Sequence, residues 1–217
     1  MQASNLSYST LTNANFSNAD LRGGINWSPD ATTITHNTIR PDGSIQGLAL
    51  LAGEKLAIRN NAIPITVTTS ATFDPTSTLQ FQLANNWTSP IGFSPGLNAA
   101  LGGNLQLAFS DGVNLASQLG QTFDLFNWTG INHTGTFTVS SVYKWDLSQL
   151  YTTGNVTLLS LPKLGDFNND GHVDAANISA MMAALSDLHC YEAANGLSDF
   201  QLLLIGDINQ RWQSRQS

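Results

Sequence analysis

Positions 166 to 174 read Asp-Phe-Asn-Asn-Asp-Gly-His-Val-Asp. Oxygen-bearing side chains at alternate positions, Asp166, Asn168 and Asp170, followed by Gly171, have the spacing with which a short loop wraps a hard cation. Calcium takes roughly six to eight oxygens, and a glycine after the third ligand permits the sharp turn that brings them to one point. In this reading His172 donates its main-chain carbonyl and its imidazole has no role. Val173 turns inward to pack, and Asp174 acts directly or through water. The twelfth position is Asn177 rather than a bidentate carboxylate, so the site has one negative charge fewer, and weakened Ca²⁺ affinity is expected. The competing reading is a metal-free turn before a helix, because Asp, Asn and Gly also satisfy local backbone groups by themselves.

Such a loop needs a helix directly after it. Ile178, Met181, Met182, Leu185 and Leu188 recur at helical spacing among Ala and Ser, and Asn195-Gly196 ends that segment. A second helix is expected from Ser198 as N-cap through Phe200, Leu202, Leu203, Leu204 and Ile205. Gly206-Asp207-Ile208-Asn209 then restates Gly165-Asp166-Phe167-Asn168. Arg211 and Trp212 stand where the repeat requires Asp and Gly, so no second calcium site is expected, and 211–217 is read as a disordered tail.

This tandem loop and helix, over 165–210, resembles a dockerin module, a calcium-binding unit related to half an EF-hand. The resemblance implies Ca²⁺ on Asp166, Asn168, Asp170, His172, Asp174 and Asn177, and a cohesin-like partner or a neighbouring surface-protein module. The incomplete second repeat weakens the cohesin implication.

At the other end, Leu6, Leu11, Phe16 and Leu21 lie five residues apart. Each follows Asn5, Thr10, Asn15 or Asp20, with Ser4, Ser9, Ala14 or Ala19 before that. The pattern resembles pentapeptide repeats, which implies that 4–23 form one coil of a narrow right-handed β-helix, its central Leu or Phe pointing inward. One coil cannot bury its own faces and must stack on neighbours.

Residues 32–160 read as a β-rich domain. The runs are 49–52, 63–68, 78–83, 104–109, 135–139 and 155–159, punctuated by Gly and Asn, with a short helix or turn at 115–119. Segments 121–128 and 145–154 resemble β-helix ends of autotransporter-like or exosortase-sorted bacterial surface proteins. The expected fold is therefore mainly β, a right-handed β-helix or a β-sandwich-like domain, with a small C-terminal EF-hand-like helical module.

Charged residues are only 11% of the 217, and the net charge of −7 leaves no basic patch for nucleic acid. No run reaches the length of a membrane span, and Met1-Gln-Ala-Ser-Asn has no signal-peptide character. The single Cys190 excludes an internal disulfide and is expected to be a buried helical thiol. His36, His133, His172 and His189 lie in unrelated contexts, and Glu54, Asp74, Asp111, Asp124 and Asp146 read as turn or strand-end residues, so no enzyme is expected. The expected function is a non-catalytic, secreted or surface-displayed bacterial structural protein, present here as a fragment. The alternative is the non-catalytic tail of a carbohydrate-active enzyme that docks on a cohesin scaffold. Glycan contact through Trp87, Trp128 or Trp145 is a weaker third reading.

Overall fold

A computed structural model describes residues 1–168 and 170–195 together with positions 202, 205 and 206. The protein is mainly β with parallel sheets, followed by a short C-terminal helix pair. The strands are β1 (Ser44–Leu50), β2 (Lys55–Arg59), β3 (Ile65–Phe73), β4 (Thr78–Leu83), β5 (Ile91–Phe93), β6 (Asn98–Leu101), β7 (Asn104–Phe109), β8 (Thr122–Asp124), β9 (Phe126–Asn127), β10 (Asn132–Gly135), β11 (Thr138–Ser140), β12 (Lys144–Asp146) and β13 (Asn155–Ser160). The helices are α1 (Ala175–Ser186) and α2 (Leu188–Asn195), and a 3₁₀ turn covers Leu115–Gln118.

The chain returns on itself in parallel, in two nearly equal narrow returns and then, from Ser44 onward, in progressively longer ones. Asn5 bridges Ile25 after 20 residues, and Asp20 bridges Ile39 after 19. Ser44 then meets Thr66 after 22, and Lys55 meets Thr78 after 23. Thr78 meets Asn104 after 26, and Ala71 meets Ala99 after 28. Asn104 meets Thr138 after 34, and Ile91 meets Phe126 after 35. One side of these returns is the ladder β2-β4-β7-β11, and another joins β10-β6-β3-β5-β9 with β1 on β3. The antiparallel sheet β12-β13-β8 closes the C-terminal side of the strand region.

The local chemistry explains the corners. At Asn5, Asn15, Asp20, Asp30, Asp42, Asp74, Asn127 and Asp146 the side-chain oxygen accepts the N–H two residues on, which turns the chain without a longer loop. The first corners also place Ala3, Tyr8, Asn13 and Asn18 in the left-handed region at five-residue intervals. In the wider returns Gly takes that duty. Gly154 (φ 87°) is the tightest case, because a Cβ there would collide with the Phe126 carbonyl.

Burial follows the alternation of the strands. Leu79, Phe81 and Leu83 of β4 stack in register on Leu105, Leu107 and Phe109 of β7, all at least 95% buried. Leu11, Phe16 and Leu21 form a separate small cluster with Trp27 against it. Between the two clusters sits Arg22, fully buried. Its guanidinium donates to both Asp20 carboxylate oxygens (3.0 and 2.7 Å), to the Arg59 and Ile63 carbonyls (2.6 and 3.0 Å) and to Ser89 Oγ (3.1 Å). A buried guanidinium with this many acceptors is a satisfied charge, and it ties the first return to residues far along the chain.

The helical segment departs from the sequence expectations in three places. The segment expected to run unbroken to Asn195-Gly196 is divided at Asp187 into α1 and α2, and the Asp187 carboxylate accepts from Cys190 N. Cys190 is exposed rather than buried. Val173 is 51% exposed, where inward packing was expected; its methyls lie over Gly165, which has no side chain to enclose them.

Candidate functional site

The loop from 166 to 177 starts where the strand region ends. Gly165 donates its N–H to the Ile205 carbonyl (2.8 Å), and Tyr191 Oη donates to the Phe167 carbonyl (2.6 Å). These contacts fix the loop between β13 and the helices. Asp174 caps α1 by accepting from Ala176 N (2.8 Å), as expected where four N–H groups would otherwise lack partners.

Asp166 is 3% exposed, and its carboxylate accepts from the backbone N–H of Asp170 (3.2 Å) and Gly171 (2.8 Å). Asn168 Nδ2 donates to Asp170 Oδ2 (2.8 Å), and Asp170 Oδ1 accepts from His172 N (2.8 Å). The His172 N–H and the Asn168 amide hold the Asp170 carboxyl below its ordinary value, against a small opposing effect of desolvation. Asn177, 4% exposed, joins the two halves: its Oδ1 accepts from Asn168 N (3.2 Å), and its Nδ2 donates to the His172 carbonyl (2.8 Å). Gly171 has φ 86°, the backbone that a glycine in this place is needed for.

The structure therefore gathers Asp166, Asn168, Asp170, the His172 carbonyl and Asn177 into one hydrogen-bonded web. Asp174 acts as a helix cap outside it. The donor set is oxygen-rich and suits a hard cation. One feature fits less well, since an amide nitrogen of Asn177 faces the very carbonyl that a cation would share. Among the described residues no group of three or more His, Cys, Asp or Glu side chains is placed to hold a metal. Without an ion the loop is already hydrogen-bonded, in part through Asx turns at Asn168, Asp170 and Asp174, the same chemistry that turns the coils. Ser198 and the second loop, including Asp207, Asn209, Arg211 and Trp212, lie outside the described residues.

The other candidate groups have structural partners. His36 Nε2 lies 3.1 Å from Glu54 Oε2, and His133 Nε2 lies 3.0 Å from the Tyr151 carbonyl. Asp74 and Asp146 hold turns. Trp128 is buried and stacks on Phe93 and Phe126, while its indole N–H donates to the Leu150 carbonyl. Trp87 and Trp145 are half-buried, with indole N–H groups donating to the Asp124 carbonyl and to Ser141 Oγ. Among the described residues no helix is long and apolar enough to cross a membrane.

Sequence reasoning gave no role to Arg22, although an Arg two residues after an Asp, at the end of the last pentapeptide, was the available signal. It also passed over the cavity between β12, the end of β13 and the loop, whose lining residues are far apart in sequence. No curated protein and no solved structure matches the chain. Residues 1–24, which include the bridging positions Asn5, Asn15 and Asp20, match the family model described as Pentapeptide repeats (8 copies).

Proposed function

We propose that this chain is a non-catalytic structural element, a β-helix whose C-terminal side is finished by a single calcium-binding, EF-hand-like loop. The observation that carries the reading is the parallel ladder running from Asn5 to Ser140. It devotes nearly every inward position to apolar packing and nearly every corner carboxylate to a turn. Calcium on the oxygens of Asp166, Asn168, Asp170, His172 and Asn177 would stiffen the junction between strands and helices, with Asp174 holding the helix start. Stabilisation would follow mass action, since the unfolded chain has no such loop. An extracellular or cell-surface setting, with a cohesin-like or neighbouring surface module as partner, belongs to the same proposal. It rests on the dockerin-like spacing alone.

The test is calorimetric titration of residues 1–217 with Ca²⁺, paired with thermal melts in calcium and in chelator. One site and a calcium-raised Tm are expected. No heat and no shift would leave a metal-free turn as the correct description of 166–177.

A further inference from the structure

Beside the loop lies a cavity of about 500 Å³, within the size range of small-molecule sites. One wall is Val142, Tyr143 and Lys144, leading into β12. The opposite wall runs from Ser160, at the end of β13, to Lys163, and Asp166, Asp170 and Gly171 complete it. Lys144 and Ser160 are register partners on antiparallel strands, so the two walls are hydrogen-bonded to each other at one end.

Three observations distinguish this cavity from a surface dent. The protein carries a net charge of −7, and most of its described cations are committed. Arg22, Arg40, Lys55 and Arg59 all donate hydrogen bonds to partners within the fold. Lys144 and Lys163, the other described cations, have neither a hydrogen bond nor an ion pair among the described residues, and both line this cavity. The carboxylates beside them, Asp166 and Asp170, are positioned by backbone N–H groups and by Asn168, with no lysine hydrogen bond, although the Lys163 charge helps to hold the Asp170 carboxyl below its ordinary value. Tyr143, also on the wall, is 4% exposed, and its buried hydroxyl has no hydrogen-bond partner among the described residues. Buried polar groups in native proteins are nearly always paired, so an orphan phenol beside a cavity calls for an oxygen to reach it.

The geometry points to a binding site for a small, hydroxyl-bearing carboxylate, a uronic acid in chemical class. The two ammonium groups would face the carboxylate, and Ser160 and Tyr143 would serve the ring oxygens and hydroxyls after a small adjustment of the wall. An added peptide strand fits less well, because the adjoining edge strand β12 is only three residues long and offers little backbone ladder. The site does not depend on the loop holding calcium, although it shares Asp166, Asp170 and Gly171 with that loop.

The experiment is equilibrium titration of the full chain with galacturonate, galactose and acetate, each in calcium and in chelator. Saturable galacturonate binding in either buffer, with galactose and acetate much weaker, supports the site. Lys144→Met and Lys163→Met should each weaken it by about tenfold. Tyr143→Phe keeps the ring packed on Phe109 and Trp145, so its Tm should not fall, while galacturonate affinity does. Equal binding of galactose overturns the carboxylate role, and equal binding of acetate overturns the saccharide class. No binding in both buffers, or unchanged affinity in both lysine variants, overturns the proposal.

Discussion

The first two returns of the chain and the later ones solve the same packing problem differently. Residues 1–43 make returns of 19 or 20 residues whose interior is a single file of Leu11, Phe16 and Leu21. Residues 44–140 make returns of 22 to 35 residues, and the wider interior is filled by aromatic rings in contact. Phe126 meets Phe81, Trp128 and Phe137 with centroids 5.4, 4.6 and 5.7 Å away, whereas the narrow region has one ring pair, Phe16 with Trp27. A branched aliphatic side chain spans a narrow bore. Beyond that width only rings cover the gap at the density protein interiors require. The corners differ too: non-glycine residues hold left-handed backbone in the narrow part, and Gly mostly replaces them afterwards.

The comparison can be broken most forcefully where the regions meet. Arg22→Met leaves Asp20 buried without its partner and strips hydrogen bonds from the Arg59 and Ile63 carbonyls. Unfolding in urea should show a loss of about 3–5 kcal/mol. Phe126→Ala should cost a similar amount, about 3–5 kcal/mol, by opening a void in the ring stack. In the narrow file, Leu21→Ala should stay at about 2–3 kcal/mol if the smaller bore closes over the gap, and an equal loss at both sites would remove the distinction between the two interiors.

Acid resolves the junction further. Burial pushes the Asp20 carboxyl up, but the Arg22 and Gln2 hydrogen bonds together with the Arg22 charge outweigh it and hold the group below its ordinary value of 3.8. A depressed folded value contributes stability above the unfolded value and loses it as pH falls through the folded one. The wild type should therefore weaken as pH drops below about 4, and Asp20→Asn should flatten that limb of a pH series of melts.

Smaller effects sharpen the contrast at the corners and the loop. Gly154→Ala should lower stability by more than about 1 kcal/mol, visible as a fall in Tm, because the Phe126 carbonyl leaves no room for a Cβ. Asn177→Asp replaces the amide nitrogen facing the His172 carbonyl by an oxygen. It should tighten Ca²⁺ by about tenfold in calorimetry while lowering stability in chelator. Tyr8→Asn should raise stability by about 0.5–1 kcal/mol, since Tyr8 is fully exposed and held at φ 60°, a backbone Asn tolerates better.

Much of the fold was legible where one face is buried and strands are long enough to alternate. The runs 78–83 and 104–109 coincide with β4 and β7, and the 115–119 turn with the 3₁₀ segment. β2 escaped because Lys55 and Arg59 bracket only a few apolar residues, and β5 and β9 because three and two residues carry no period. The expected 135–139 run is split between β10 and β11 by an intervening corner. Residues 25–43 lack the Leu or Phe file, yet they pair with the first return through Ile25, Ile34 and Ile39. At the loop, Asp166, Asn168, Asp170, the His172 carbonyl and Asn177 converge while Asp174 caps α1, and spacing carried no information on that division or on the protons of Asn177 that face the His172 carbonyl. The α1 pattern predicted a helix correctly. It carried no information on which side is covered, and Ile178, Met182 and Leu185 are exposed.

The lengthening of the returns from Ser44 onward also acts as a vernier. In a solenoid of equal turns, a strand can slip by one level, or a second molecule can insert its own turn, with every side chain still meeting an equivalent partner. Here a one-level slip leaves the intruding turn several residues too long or too short to close, as the step from 26 to 34 residues between Thr78, Asn104 and Thr138 makes plain. In that wider part each level accepts only its own neighbour, so the taper itself discourages misthreading and intermolecular exchange.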